Sequence, residues 1–146
     1  MKKYLVLLIL TLGISEARAQ YNCKVISSDR ETVTFRVTGY GKNVKRAMAD
    51  AELSAVKTLC FIGAAGTPFR LPLVSQGQVK AEKEHAVFLA NLQRSAYRNF
   101  IETSSTVIPF GKDGEKRKCV TMDVRVRALQ LRTHLEQGGV IRRFGI

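Results

Sequence analysis

Two stretches of strict alternation constrain this chain more than anything else in it. Val33, Phe35 and Val37 alternate with Thr32, Thr34, Arg36 and Thr38; much later, Val120, Met122, Val124 and Val126 alternate with Thr121, Asp123, Arg125 and Arg127. Successive side chains of a strand point to opposite faces, so each stretch predicts a strand with one face in a core and one in solvent. Such a sheet needs cover on its apolar face only. That is an α+β arrangement, with helices packed on one side of an antiparallel sheet.

The covering helix is legible between the two strands. Gly39-Tyr40-Gly41-Lys42-Asn43 breaks the first strand, and Asn43 is a good N-cap. Ala47, Met48, Ala51, Ala55, Leu59 and Ile62 then recur at helical spacing, widened by Leu53, Val56 and Cys60. Lys45, Arg46, Asp50 and Lys57 share the other face. The alanines allow this helix to lie close on a sheet. Gly63, Gly66 and Pro68 end it, and Phe69, Leu71, Leu73 and Val74 predict that the long connection to Gln78 packs down rather than floating free.

The remaining elements are read with less contrast. Tyr21 to Ile26 predicts a short strand before the Ser27-Ser28-Asp29-Arg30 turn. Ala81, Phe88, Leu92 and Ala96 predict one helix from Val79 to about Arg98. Phe100 to Ile108 predicts a strand stopped by Pro109, and Gly111 to Lys118 a charged turn. Ala128 to Gln137 carries Leu131 and Leu135 at helical spacing, and Gly138-Gly139 stops it before a basic tail, 138–146. The expected order is ββα-loop-αββα, with about four strands.

The amino terminus speaks to compartment. Lys2-Lys3 precedes an apolar run from Tyr4 to Ile14, which closes on Ala17-Arg18-Ala19. This is the layout of a secretory signal peptide, 1–19, cleaved before Gln20, and the run is too short for a stable bilayer span. Residues 20–146 then form a single α+β domain, and the expected location is the periplasm or the extracellular space. Gln20-Tyr21-Asn22 before Cys23 lacks the small residues of a lipid-attachment site.

Charge narrows the partners. The chain carries 24 Lys and Arg against 12 Asp and Glu, and the signal removes only Lys2, Lys3, Arg18 and Glu16. A basic excess attracts polyanions. An exported protein seldom meets nucleic acid, so an envelope protein partner or an anionic membrane surface is the expectation. Lys112, Lys116, Arg117 and Lys118 mark a basic hairpin tip, which Arg125 and Arg127 can extend into a contact surface for an anionic partner. The same charges can instead keep a hairpin and an exposed sheet face from aggregating.

Nothing in the sequence spells out catalysis. Cys23, Cys60 and Cys119 lack CxxC spacing, and His85 and His134 complete no zinc pattern, so neither metal nor cofactor is expected. Cys60 falls in the apolar stripe of the first helix, where a thiol is inert. Gly39-Tyr40-Gly41-Lys42 lacks the third glycine of a dinucleotide fingerprint and the GK[ST] ending of a P-loop, and reads as a tight strand-to-helix turn. No GxSxG elbow occurs, and Glu82, Glu84 and Glu102 form no convincing acid–base pair.

The linear pattern does carry a resemblance. Val37-Thr38-Gly39-Tyr40-Gly41 leads into the Ala47, Ala51, Ala55 helix. Later come Phe100-Ile101, the Asp113-Gly114 turn, the strand Val120 to Val126 and the Leu131, Leu135 helix. This resembles the N-terminal domain of flagellar assembly protein T and similar small envelope lipoproteins. The resemblance implies a non-enzymatic module that docks onto an envelope assembly, and it transfers no site residues. A secreted cationic polyanion-binding effector, or a small hydrolase whose site forms only in three dimensions, is the alternative.

Overall fold

The computed structural model describes residues 21–143. The expected signal segment 1–19 and the end of the basic tail lie outside the described residues. Four strands, β1 (Cys23–Ser28), β2 (Val33–Tyr40), β3 (Ile101–Lys112) and β4 (Lys118–Val126), form one antiparallel sheet in the order β1-β2-β4-β3. Helices α1 (Val44–Phe61), α2 (Gln78–Glu84), α3 (Ala86–Arg94) and α4 (Ala128–Gln137), with a 3₁₀ turn at Ala96–Phe100, complete the α+β fold. None of these helices is long and apolar enough to cross a membrane.

The two alternating stretches become the two central strands. Val33 pairs with Val126, Phe35 with Val124 and Val37 with Met122, and all six are buried. Aligning these pairs puts the apolar set of both strands on one face, which pins the register, since a slip of one residue would turn it to water. The opposite face of β2 and β4 holds Arg36 and Asp123 in a bidentate pair, at 2.9 Å and 3.1 Å, and Thr38 hydrogen-bonded to Thr121.

Helix α1 starts where expected, with the Asn43 side chain accepting the Arg46 N–H at 3.0 Å. Its buried line is Ala47, Ala51, Ala55 and Leu59, widened by Val56 and Cys60. Met48 and Leu53 are only half-buried, and Ile62 lies past the helix end, 44% exposed. Alanine brings helix and sheet so close that the facing strand residues must be glycine. A Cβ on Gly39 would sit 2.2 Å from the Ala47 carbonyl oxygen, and one on Gly41 would sit 2.5 Å from the Ala47 nitrogen. Steric need therefore accounts for both glycines of the Gly39-Tyr40-Gly41 turn.

The connection after α1 packs down as expected. Leu73 and Val74 donate their amides to the Leu59 and Cys60 carbonyls at 3.1 Å and 2.8 Å, capping the helix end. Phe69, Leu73 and Val74 are buried, whereas Leu71 points to solvent at 69% exposure.

Two expectations are corrected. The single helix from Val79 to Arg98 is broken at His85, where ψ reaches 43°, and ends at Arg94. The break lets Ala81 on α2 and Leu89 and Leu92 on α3 each reach the core, and Glu82 joins the pieces by accepting from Gln78 and Gln93, both at 2.9 Å. The tighter 3₁₀ turn then buries Tyr97 and Phe100. Pro109 does not stop β3, which continues to Lys112. As an edge strand, β3 has neighbours on one side only, and its ladder is irregular between Ile108 and Gly111, so the missing donor is tolerated there. The tail also begins inside the fold, since Val140 is buried and donates to the Leu135 carbonyl at 3.0 Å.

Candidate anion-contact surface

The sheet order decides which turns become neighbours. Because β2 and β4 pair antiparallel, the end of β2 lies beside the start of β4, with Tyr40 opposite Cys119. The Gly41 amide donates to the Lys118 carbonyl at 3.2 Å, which ties the β2–α1 turn to the base of the β3–β4 hairpin. A Cβ on Gly41 would fall 2.8 Å from the Arg46 Cβ, so the first turn of α1 belongs to the same cluster.

The hairpin is shaped by one carboxylate. Asp113 accepts the Glu115 and Arg117 amides at 2.9 Å each, and the Arg117 Nε at 3.1 Å. The Arg117 amide, with the other donors, holds its carboxyl below the ordinary aspartate range. Arg117 also approaches Glu115 at 3.3 Å, and its guanidinium stacks 4.5 Å from the Tyr40 ring centroid. Arg117 is thus a structural cation. Lys116 takes the left-handed conformation at φ 61° that closes the turn.

The lysines around it are different. Lys112 and Lys118 sit directly opposite each other at the mouth of the hairpin. Lys42 and Lys118 flank a shallow depression floored by Tyr40 and Gly41. Lys45 and Arg46 occupy the first turn of α1, which holds no acidic residue. Among the described residues, none of Lys42, Lys45, Arg46, Lys112, Lys116 and Lys118 has an ion pair, and all six are exposed.

Each placement opposes folding. Like charges directly across a ladder repel, cations in a first helical turn meet the positive end of the helix dipole, and a non-glycine residue at positive φ is strained. An anion bound at this end would relieve the first two at once.

The six residues expected from the sequence do not form one patch. Lys112, Lys116, Arg117 and Lys118 stand together at the tip. Arg125 lies near the far end of β4, roughly 23 Å away at about 3.3 Å per residue. There it is engaged by Glu102 at 2.8 Å and Asp29 at 2.9 Å, and it also donates to Thr32. Arg127 lines a cleft of about 520 Å³ at that same far end, with Glu31, Glu102 and His134. Sequence reasoning had set Lys42, Lys45 and Arg46 apart, in a turn and on a helix face. Only the pairing of β2 with β4 joins them to the hairpin.

The other chemistry-bearing groups are quiet. Burial pushes the Cys60 thiol up to about 12 and the Cys23 thiol to about 11, and all three cysteines are free. His134 is held between the Phe88 and Phe100 rings, with centroids at 4.9 Å and 5.1 Å. No three His, Cys, Asp or Glu side chains among the described residues come together to hold a metal ion.

Comparison with family models, with curated proteins and with solved structures finds no match to this chain. The resemblance to flagellar assembly protein T therefore rests on linear pattern alone.

Proposed function

We propose that this chain is an exported, non-enzymatic binding module of the bacterial cell envelope, attaching to an anionic partner through the end formed by the hairpin tip, the β2–α1 turn and the first turn of α1. One observation carries the reading: Lys112 and Lys118 oppose each other across the ladder, at the same end as Lys42 and Arg46, and among the described residues no carboxylate is paired to any of them. Elsewhere the fold neutralises the arginines of the open sheet face, joining Arg36 to Asp123 and Arg125 to Asp29 and Glu102. Clustering of cations without ion pairs at one end, beside a sheet face whose Arg36 and Arg125 are paired, suits an anionic contact surface.

The hydrolase alternative finds less support in the cleft at the other end. Of its two carboxylates, Glu31 and Glu102, the second is already bound to Arg125, and the ring of its histidine is held between phenyl groups.

Capture of the exported protein on a polyanionic matrix tests the reading. Lys42→Gln with Lys118→Gln should abolish capture, while Lys80→Gln with Lys83→Gln on α2, removing the same charge, should leave it intact. Equal capture of both doubles would show that net charge alone, not this end, does the binding.

A further inference from the structure

Resting on that reading, we infer that the basic end is built to lie on an anionic lipid surface rather than to grip an acidic protein. Three features of the end favour lipid.

The first is the kind of cation. Five of the seven are lysines (Lys42, Lys45, Lys112, Lys116 and Lys118), and the planar fork of Arg117 is spent on Asp113, Glu115 and Tyr40. Arginine forks suit fixed carboxylates, whereas ammonium groups on flexible stems act as mobile point charges. Lysine is depleted at protein–protein interfaces and common where proteins meet anionic membranes. Free ammonium groups suit a fluid array of headgroup phosphates.

The second is the shortage of a free anchor. A protein partner is held by a few large side chains, most often Trp, Tyr or Arg, seated in pockets. The aromatic ring beside these lysines is Tyr40, which is only partly exposed and already covered by the Arg117 guanidinium at 4.5 Å. The exposed large apolar side chain here is Val44, 48% exposed between Asn43 and Lys45. It is too small for a hot spot, but it sits among cations where a short apolar side chain can enter the headgroup layer. The more exposed Val79 and Val87 lie on α2 and α3.

The third is shape. The hairpin tip and the β2–α1 turn project from the same end of the sheet, and α1 begins there. The molecule would stand end-on, with the positive end of the α1 dipole facing the surface. The paired arginines of the open sheet face would remain in water.

Vesicle sedimentation of the full exported protein tests this. Vesicles of phosphatidylcholine with about a third phosphatidylglycerol should bind it, and pure phosphatidylcholine should not. Each cation removed from the end should weaken partition about fivefold, so Lys42→Gln with Lys118→Gln should lose about 25-fold. The Lys80→Gln, Lys83→Gln double should lose far less. Val44→Ser, whose stability is checked by thermal melting, should reduce binding to anionic vesicles while leaving capture by soluble polyphosphate unchanged.

Two results would overturn the inference in distinguishable ways. Failure to bind anionic vesicles, with capture on polyglutamate or polyphosphate retained and lost in the Lys42, Lys118 double, would keep the basic end as a contact surface and reject lipid. Failure to bind vesicles and polyanions alike would reject both readings.

Discussion

Lys112 and Lys118 face each other across the rung that closes the β3–β4 ladder, two ammonium groups where a stable hairpin would place opposite charges. Lys118→Glu should convert repulsion into attraction and raise stability by about 0.2–1 kcal/mol at low salt. The gain should shrink as salt is added, because exposed charges are screened over about 8 Å at physiological ionic strength. Urea unfolding at two salt concentrations measures it. Binding to anionic vesicles should fall in the same variant, and a variant that lost stability and binding together would mean that the pair is structural.

Lys116 closes the hairpin at φ 61°. Lys116→Gly relieves that conformation and should stabilise the fold by about 1 kcal/mol. Lys116→Ala removes the same charge but keeps a Cβ, so it should bring no gain. Equal melting temperatures for the two variants would count against strain at this position.

Gly39 and Gly111 separate packing from conformational freedom, since neither lies in the left-handed region. A Cβ on Gly39 would press on the α1 backbone, whereas one on Gly111 would meet nothing nearer than 3.9 Å. Gly39→Ala should cost about 3 kcal/mol, and Gly111→Ala should stay within about 0.5 kcal/mol of the parent. Denaturant midpoints of the two proteins give the comparison.

The β1–β2 turn supplies a pH test. Asp29 accepts the Glu31 amide at 2.8 Å and the Thr32 amide at 2.7 Å, and pairs with Arg125; these bonds hold its carboxyl at about 2, below its ordinary 3.8. A depressed folded-state pKa contributes stability above the ordinary value, and that stability is lost as pH falls through the folded one. Asp29→Asn imitates the protonated side chain. The parent should therefore be the more stable at pH 5, with the difference closing between about pH 4 and pH 2. A difference that persisted at pH 2 would place the loss elsewhere.

Thiol labelling reports on the core. Burial raises Cys60 to about 12 and Cys23 to about 11, so little thiolate forms at pH 8. Cys60, fully enclosed, should be alkylated only on unfolding, and Cys23 should lag behind the half-exposed Cys119. Mass spectrometry of peptides after brief labelling resolves the order, and early modification of Cys60 would contradict the packing of α1 on the sheet.

Much of this architecture was legible because it is local. Val33, Phe35 and Val37 announce a half-buried strand within five residues, and Asn43 announces a helix start within four. Elements without a clean period were read less well. The stretch from Val79 to Arg98 has helical spacing on average, but nothing in that spacing marks His85 as the break that lets α2 and α3 reach the core separately. Pro109 reads as a strand stop until β3 is known to be an edge.

The sequence alone determined the α+β class, the two alternating strands, the alanine helix between them and the basic excess. It also marked Lys112, Lys116, Arg117 and Lys118 as a tip. Tertiary structure decided that β2 pairs with β4, and with that pairing which charges meet. Arg36 and Arg125 found carboxylates distant in sequence, while Lys42 came up beside Lys118, with Arg46 packed behind Gly41, and none of the three has an ion pair among the described residues. The reason is one of range: a side chain's face is set every two or 3.6 residues along its own element, whereas neutralisation of a charge depends on which strand folds in beside it.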